Sequence, residues 1–345
     1  MSIGTYRPGV YSTYTITPGY TGAREALAVG VIAQLGLTGD QPVVVERGDT
    51  VNGGTPLAAV AELLFGAGLQ RFAVWSLGEN ETGAESYTAA LEGLAAAGEL
   101  DLVVVENATQ QVLEAAGAFA KTQSENQREL LVFGGALGNH TATATLAKAV
   151  NNPRVVLSYG TAVPAGSETG SPFFGALALC AAVAVLEDPS VSLTGWALPG
   201  IGSVTGASYA QVENLLAAGV TPLCQSGTGA EAVRILTTCT TVGGSPDRSL
   251  TPVNSILIID YVMKALRRSL AAFLRGAKNS AQTLSAVASQ LTVLLGDFLD
   301  RGIITGYGAP KVFCRPDDPE VCIAQVSFTA AYLINQIHIQ AQIQL

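Results

Sequence analysis

Apolar positions follow two periods along this chain, and the switches between them mark its elements. Short apolar runs at residues 28–33, 43–46, 72–76, 102–106, 130–133 and 155–158 read as strands. Between them, Ala-rich segments at 56–65, 84–97, 109–122 and 141–150 place apolar residues at helical spacing. Strand–helix alternation of this kind predicts a layered α/β sheet. Residues 172–186 are almost wholly apolar and predict a buried helix, and 209–218 predicts another, ended by Gly219. Strands are expected within 223–239. A long helix opens at Thr251-Pro252-Val253-Asn254, with Asn254 as N-cap, and runs to about residue 274. A second long helix spans 280–300, followed by β-like stretches at 303–308 and 321–333.

The two ends carry a different signal. Residues 1–20 combine Tyr, Thr, Pro and Gly without helical periodicity and predict an extended arm with a strand that includes Tyr6, Val10 and Tyr11. At the other end apolar and polar residues alternate up to the last position: Ile337, Ile339, Ala341, Ile343 and Leu345 share one face. Burying the four large aliphatics of that face is worth at most about 6–12 kcal/mol. A terminal strand with one apolar face is suited to joining a sheet, its own or a neighbour's. The expected division is an arm at 1–20, an α/β outer region at 21–225, a C-terminal α/β inner domain at 226–330 with the long helices, and a β arm at 331–345.

Composition sharpens this picture. Of 345 residues, 48% are apolar and only 13% charged, against about 25% charged in ordinary soluble domains. A surface so poor in charge is expected to be covered by other subunits. The net charge of −9 argues against general nucleic-acid binding. No apolar signal segment is read in residues 1–10, and the apolar run at 173–186 is too short to span a bilayer. Five cysteines without a C-x-x-C pair predict reduced core thiols.

Catalytic patterns are not found. His140 and His338 lack metal-site spacing, and neither a Gly-x-Ser-x-Gly elbow nor a phosphate-binding Gly-x4-Gly-Lys occurs. Gly200, Gly202 and Gly206 read as a plain loop. The acid pairs Glu187-Asp188 and Asp317-Asp318 read as solvated turns. No catalytic, cofactor or metal residue is assigned, and an enzyme is not expected. One feature resists the bland reading of a solvated face. Lys264, Arg267, Arg268, Arg275 and Lys278 fall within an arc of about 100° on the first long helix, with no acid at i+4 to pair them.

Several segments resemble contractile tail sheath proteins of bacteriophages and phage-tail-like bacteriocins. Arg7-Pro8-Gly9-Val10-Tyr11 is similar to the "PGVY" opening of that family, and Ala28 to Ala33 followed by Gly36 to Val45 to its first strand–loop–strand. Leu215 to Thr221 and Arg234-Ile235-Leu236-Thr237-Thr238 resemble two further segments. Thr251 to Asn279 is similar to its long helix, which ends near Gly-Lys-x-Asn and here reads Gly276-Ala277-Lys278-Asn279. Order and spacing carry this resemblance, which spans nearly the whole chain.

The resemblance implies a compact sheath subunit without large outer insertions. Such subunits form rings, six-fold in the usual case, stacked helically around a tail tube and bounded by baseplate and tail terminator proteins. They take no cofactor, bind neither nucleic acid nor membrane, assemble in the host cytoplasm, and end up in a virion tail or a released particle. Terminal arm strands would complete sheets of neighbouring subunits, and the basic stripe would face the tube. Two other readings stay open: another self-assembling tube or secretion-system sheath component, and an α/β enzyme with an atypical site.

Overall fold

A computed structural model describes residues 26–37, 41–227, 229–271, 278–318 and 320–333. The terminal arms, with Tyr6, Val10, Tyr11, Ile337, His338, Ile339, Ile343 and Leu345, lie outside the described residues, as does Arg275.

The first lobe begins with strand β1 (Val29–Ala33), strand β2 (Val43–Glu46), helix α1 (Pro56–Gly66) and strand β3 (Arg71–Ser76). It continues through α2 (Ala84–Ala97), β4 (Leu102–Val105), α3 (Gln110–Glu125), β5 (Leu131–Gly135), α4 (His140–Val150) and β6 (Val155–Tyr159). Then come β7 (Thr161–Pro164), α5 (Pro172–Ala184), β8 (Trp196–Ala197), β9 (Ile201–Thr205), α6 (Tyr209–Ala217), β10 (Thr221–Ser226) and β11 (Gly229–Ala232). Nine strands form one sheet in the order β2-β3-β1-β4-β5-β6-β10-β11-β8. The six from β3 to β10 run parallel, and the outer strands β2, β11 and β8 pair antiparallel. Parallel strands need cover on both faces. On one face α1 and α5 pack over Val29, Val31, Leu131 and Phe133; on the other, α2, α3, α4 and α6 cover Ile32, Val103, Val132 and Leu157.

Local chemistry sets the helix starts. Thr55 Oγ1 accepts the Ala58 N–H at 3.2 Å with Pro56 behind it, and Asn139 Oδ1 accepts the Ala142 N–H at 2.9 Å. These contacts satisfy donors that the first helical turn leaves free. Helix α5 buries eleven of its thirteen residues. Its small side chains let it lie close across β4, β5 and β6, and Gly135 at the end of β5 makes that approach possible: a Cβ there would stand 2.1 Å from the Pro172 carbonyl oxygen.

The C-terminal lobe follows a short hairpin of β12 (Thr241–Val242) and β13 (Ser245–Pro246). It contains α7 (Val253–Ala271), α8 (Ala281–Asp300), β14 (Ile304–Tyr307), β15 (Lys311–Cys314), β16 (Cys322–Gln325) and β17 (Phe328–Ala330). Among the described residues, β14–β17 and β15–β16 form separate two-stranded antiparallel sheets. Val312, Ala324, Phe328 and Ala330 pack against a core made by Ile258, Val262 and Leu266 of α7 and Leu291, Leu295 and Phe298 of α8. The division expected at 225/226 falls inside β10, and β11 pairs with that strand across it.

The structure revises four sequence expectations. Asn254 does not cap α7. The helix already includes Val253, and Asn254 is buried in the first turn, where its amide donates to the Pro189 and Val191 carbonyls at 2.9 and 2.7 Å. A tertiary loop gains from that amide what the cap would have gained. The glycine-rich stretch at 200–206 is not a plain loop: it contains β9, which pairs with β7. Gly206 is there for space, since a Cβ would stand 1.8 Å from the Leu223 carbonyl oxygen. The cysteines are not uniformly core thiols, because only Cys180 and Cys239 are buried while Cys322 is exposed. Finally, β15 and the short strands β7, β8, β12 and β13 were not foreseen.

Gly135→Ala should destabilise the subunit by about 1–3 kcal/mol, because the added methyl meets backbone that cannot move aside cheaply. Urea unfolding followed by circular dichroism tests this, and an unchanged midpoint would contradict the packing described.

Candidate assembly interface

Helix α7 presents Asp260, Lys264 and Arg267 at positions i, i+4 and i+7, which share one face. All three meet partners in the first lobe. Arg154 grips Asp260 with both guanidinium nitrogens, at 2.5 and 2.9 Å. Lys264 pairs with Asp101, whose other oxygen accepts the Ala28 N–H at 2.9 Å. Arg267 pairs with Glu129 at 2.5 Å. Asp101, Glu129 and Arg154 each sit one or two residues before a parallel strand, respectively β4, β5 and β6. The three pairs therefore line the edge where those strands begin, and α7 is bolted across it.

The Arg154–Asp260 pair is the most enclosed, with side chains 14% and 12% exposed. Burial pushes the Asp260 carboxyl up from its ordinary value, and the Arg154 guanidinium opposes that push. Ligands of open α/β sheets bind beyond the carboxyl ends of the strands. This cluster occupies the opposite end and spends its charges internally, so it is a mechanical joint. A cleft of about 530 Å³ runs beside it, between the ends of α2 and α3 and helix α7. Glu129 Oε2 is buried in that wall with no hydrogen-bond partner among the described residues.

The structure thus divides the basic stripe. Lys264 and Arg267 are committed to acids of the same chain, 163 and 138 residues away in sequence. Arg268 and Lys278 are exposed. Asp101, Glu129, Arg154 and Asp260 were not singled out from the sequence. The available signal was Asp260 at helical spacing from Lys264 and Arg267, a charged stripe on an otherwise apolar helix.

The C-terminal sheets are the other candidate surface. A two-stranded ribbon is marginal by itself in water, and here each is held by its packing on α7 and α8. Among the described residues, the outer backbone edges of β14, β15, β16 and β17 carry no further strand. Elsewhere, His140 at the start of α4 contacts Thr141 and Gln211 side chains at 3.2 Å. No group of three or more His, Cys, Asp or Glu side chains suited to a metal ion occurs among the described residues, and no described helix is long and apolar enough to cross a membrane.

No protein-family model matches this sequence, and no curated protein sequence does. Solved structures do. The helical sheath of the anti-feeding prophage in its contracted state superposes with a TM-score of 0.72 at 15% identity, covering 98% of this chain and 99% of that one. A sheath tail protein of Desulfitobacterium hafniense gives 0.68 at 12% identity over 93% and 100%. A chain of the six-fold symmetrised anti-feeding prophage baseplate gives 0.69 at 16% over 99% and 100%. This chain has the tail sheath fold.

Coverage is nearly complete in both directions, so both lobes belong to that sheath fold. In this example of it, the lobes are joined by α7 and its ion pairs. Arg154→Ala should cost about 3–5 kcal/mol, since it leaves the Asp260 carboxylate buried and unpaired. Replacing both partners, Arg154→Met with Asp260→Leu, should recover most of that loss. Chemical denaturation of the three proteins checks this, and a double variant as unstable as the single one would contradict the joint.

Proposed function

We propose that this chain is the structural, non-enzymatic subunit of a contractile tail sheath. The observation that carries the proposal is its superposition, over nearly its full length, on a contracted helical sheath. Copies polymerise into stacked six-fold rings around a tail tube, and the stack meets a baseplate at one end and a terminator at the other. The likeness to a six-fold symmetrised baseplate chain supports the symmetry and the baseplate contact. The finished particle is a phage tail or a released phage-tail-like particle, assembled in the bacterial cytoplasm.

The terminal arms link the subunits. Tyr6, Val10 and Tyr11 at one end and Ile337, Ile339, Ile343 and Leu345 at the other add strands to the two-stranded sheets of neighbours. Backbone hydrogen bonds supply affinity and the alternating side chains supply register. Such links survive while rigid bodies rotate against one another. The extended sheath is metastable, and contraction gains lateral contacts that drive the tube through a cell envelope. No nucleotide is consumed.

Within the basic stripe, the engagement of Lys264 and Arg267 inside the subunit narrows the tube-facing role to Arg268, Lys278 and, from the sequence, Arg275. Exposed charge contacts are weak singly and can be released as the sheath contracts.

Deleting residues 337–345 should leave folded subunits that no longer form tubes, as seen by circular dichroism and negative-stain electron microscopy. Wild-type tubes from the truncated chain would refute the linking role. Reversing Arg268, Arg275 and Lys278 to glutamate should leave subunit stability intact and reduce sheath assembly on the tube. Tails of normal length and number in that variant would sink the tube-facing role.

A further inference from the structure

Cys314 and Cys322 face each other directly in the β15–β16 ladder. Beyond them the Arg315 N–H donates to the Val321 carbonyl at 2.9 Å, which makes 315/321 a hydrogen-bonded position. The adjacent pair 314/322 is therefore a non-hydrogen-bonded pair, the closer of the two antiparallel types, with Cα atoms about 4.5 Å apart. Disulfides accept Cα separations of about 4.4–6.8 Å. Both thiols are free in this structure; Cys322 is exposed and Cys314 half-buried. The other cysteines have no such facing: Cys180 is enclosed in α5, Cys224 faces Glu231 across β10–β11, and Cys239 is buried.

We propose that Cys314 and Cys322 are a modification site, a thiol pair that closes into a cross-strand disulfide under oxidising conditions and clasps the 315–321 loop. The proposal stands on the strand register and is independent of the sheath reading. The exposed Cys322 thiolate attacks one sulfur of a small-molecule disulfide and expels the first thiolate. The Cys314 thiolate then attacks Cys322 Sγ and expels the second. Two protein thiols lose two protons and two electrons, and the oxidant leaves as two thiols. Cys314 Sγ gives up its hydrogen bond to Asn279 Oδ1, 3.0 Å away, and that oxygen is in an exposed residue that water can reach.

The consequence is mechanical. The β15–β16 ribbon rests on one apolar contact layer, through Val312 and Ala324, and among the described residues it has no third strand. A covalent link at its loop end removes openings in which the strands separate, so the clasp stiffens a ribbon held by that one layer.

The test uses the purified full-length chain under native conditions, treated with oxidised glutathione. Digestion without reductant and mass spectrometry should recover one peptide joining 314 to 322. Hydrogen exchange at Phe313 and Ile323, which the same alternation makes a hydrogen-bonded pair, should slow by about tenfold or more relative to the reduced chain. In Cys314→Ser, glutathione should instead accumulate on Cys322. Persistent glutathione on wild-type Cys322 without the 314–322 link, or chains cross-linked to one another through Cys322, would overturn the proposal. So would a 314–322 link that leaves exchange in the ribbon unchanged.

Discussion

Helix α7 is inserted into two hydrophobic cores at once. Val253, Ile256 and Leu257 belong to the core beneath α1 and α5, while Ile258, Val262 and Leu266 belong to the core shared with α8. A single rigid helix cannot shift relative to one lobe without disturbing the other. The ion pairs fix its rotation and depth, because a slip by one residue would strand Asp260 and Arg154 unpaired in an enclosed site, where an uncompensated charge is expensive. The two lobes are therefore coupled as one solid piece. A subunit of that kind suits the proposed sheath lattice, in which movement occurs between subunits and each body is kept intact.

Much of this fold was legible in the sequence, for identifiable reasons. The runs at 102–106, 130–133 and 155–158 read as strands because parallel strands covered on both faces lose their alternation and become continuous apolar stretches. Helices α1, α4 and α8 were legible from the spacing of their apolar residues, while their capping residues Thr55, Asn139 and Ser280 emerge from the structure. What escaped was short or non-local. Strands β8, β12 and β13 have two residues each, too few for any period. The joint on α7 was read only as a row of basic residues, because the partners of Asp260, Lys264 and Arg267 each lie more than a hundred residues away along the chain. Asn254 looked like a cap because the nearby loop that claims its amide is 63 to 65 residues distant in sequence.

Charge is scarce in this chain, and its placement follows function in the proposed reading. Three of the four cation–anion pairs among the described residues are spent on the internal joint. Sheet edges and apolar side chains such as Val293 and Tyr332 are left at the surface of the C-terminal lobe. The same economy bears on the terminal arms in the proposed reading. Strand addition to a half-finished sheet needs backbone groups and an alternating side-chain face, and the alternating sequence from Ile337 to Leu345 is proposed to supply both without drawing on charge.

The central claim of the proposed reading is that copies of this chain assemble into a sheath through contacts with one another. Negative-stain electron microscopy of the purified full-length chain, expressed alone and concentrated, tests it most directly. The account predicts long hollow tubes with regular cross-striations. A uniform field of single particles at every concentration would contradict it.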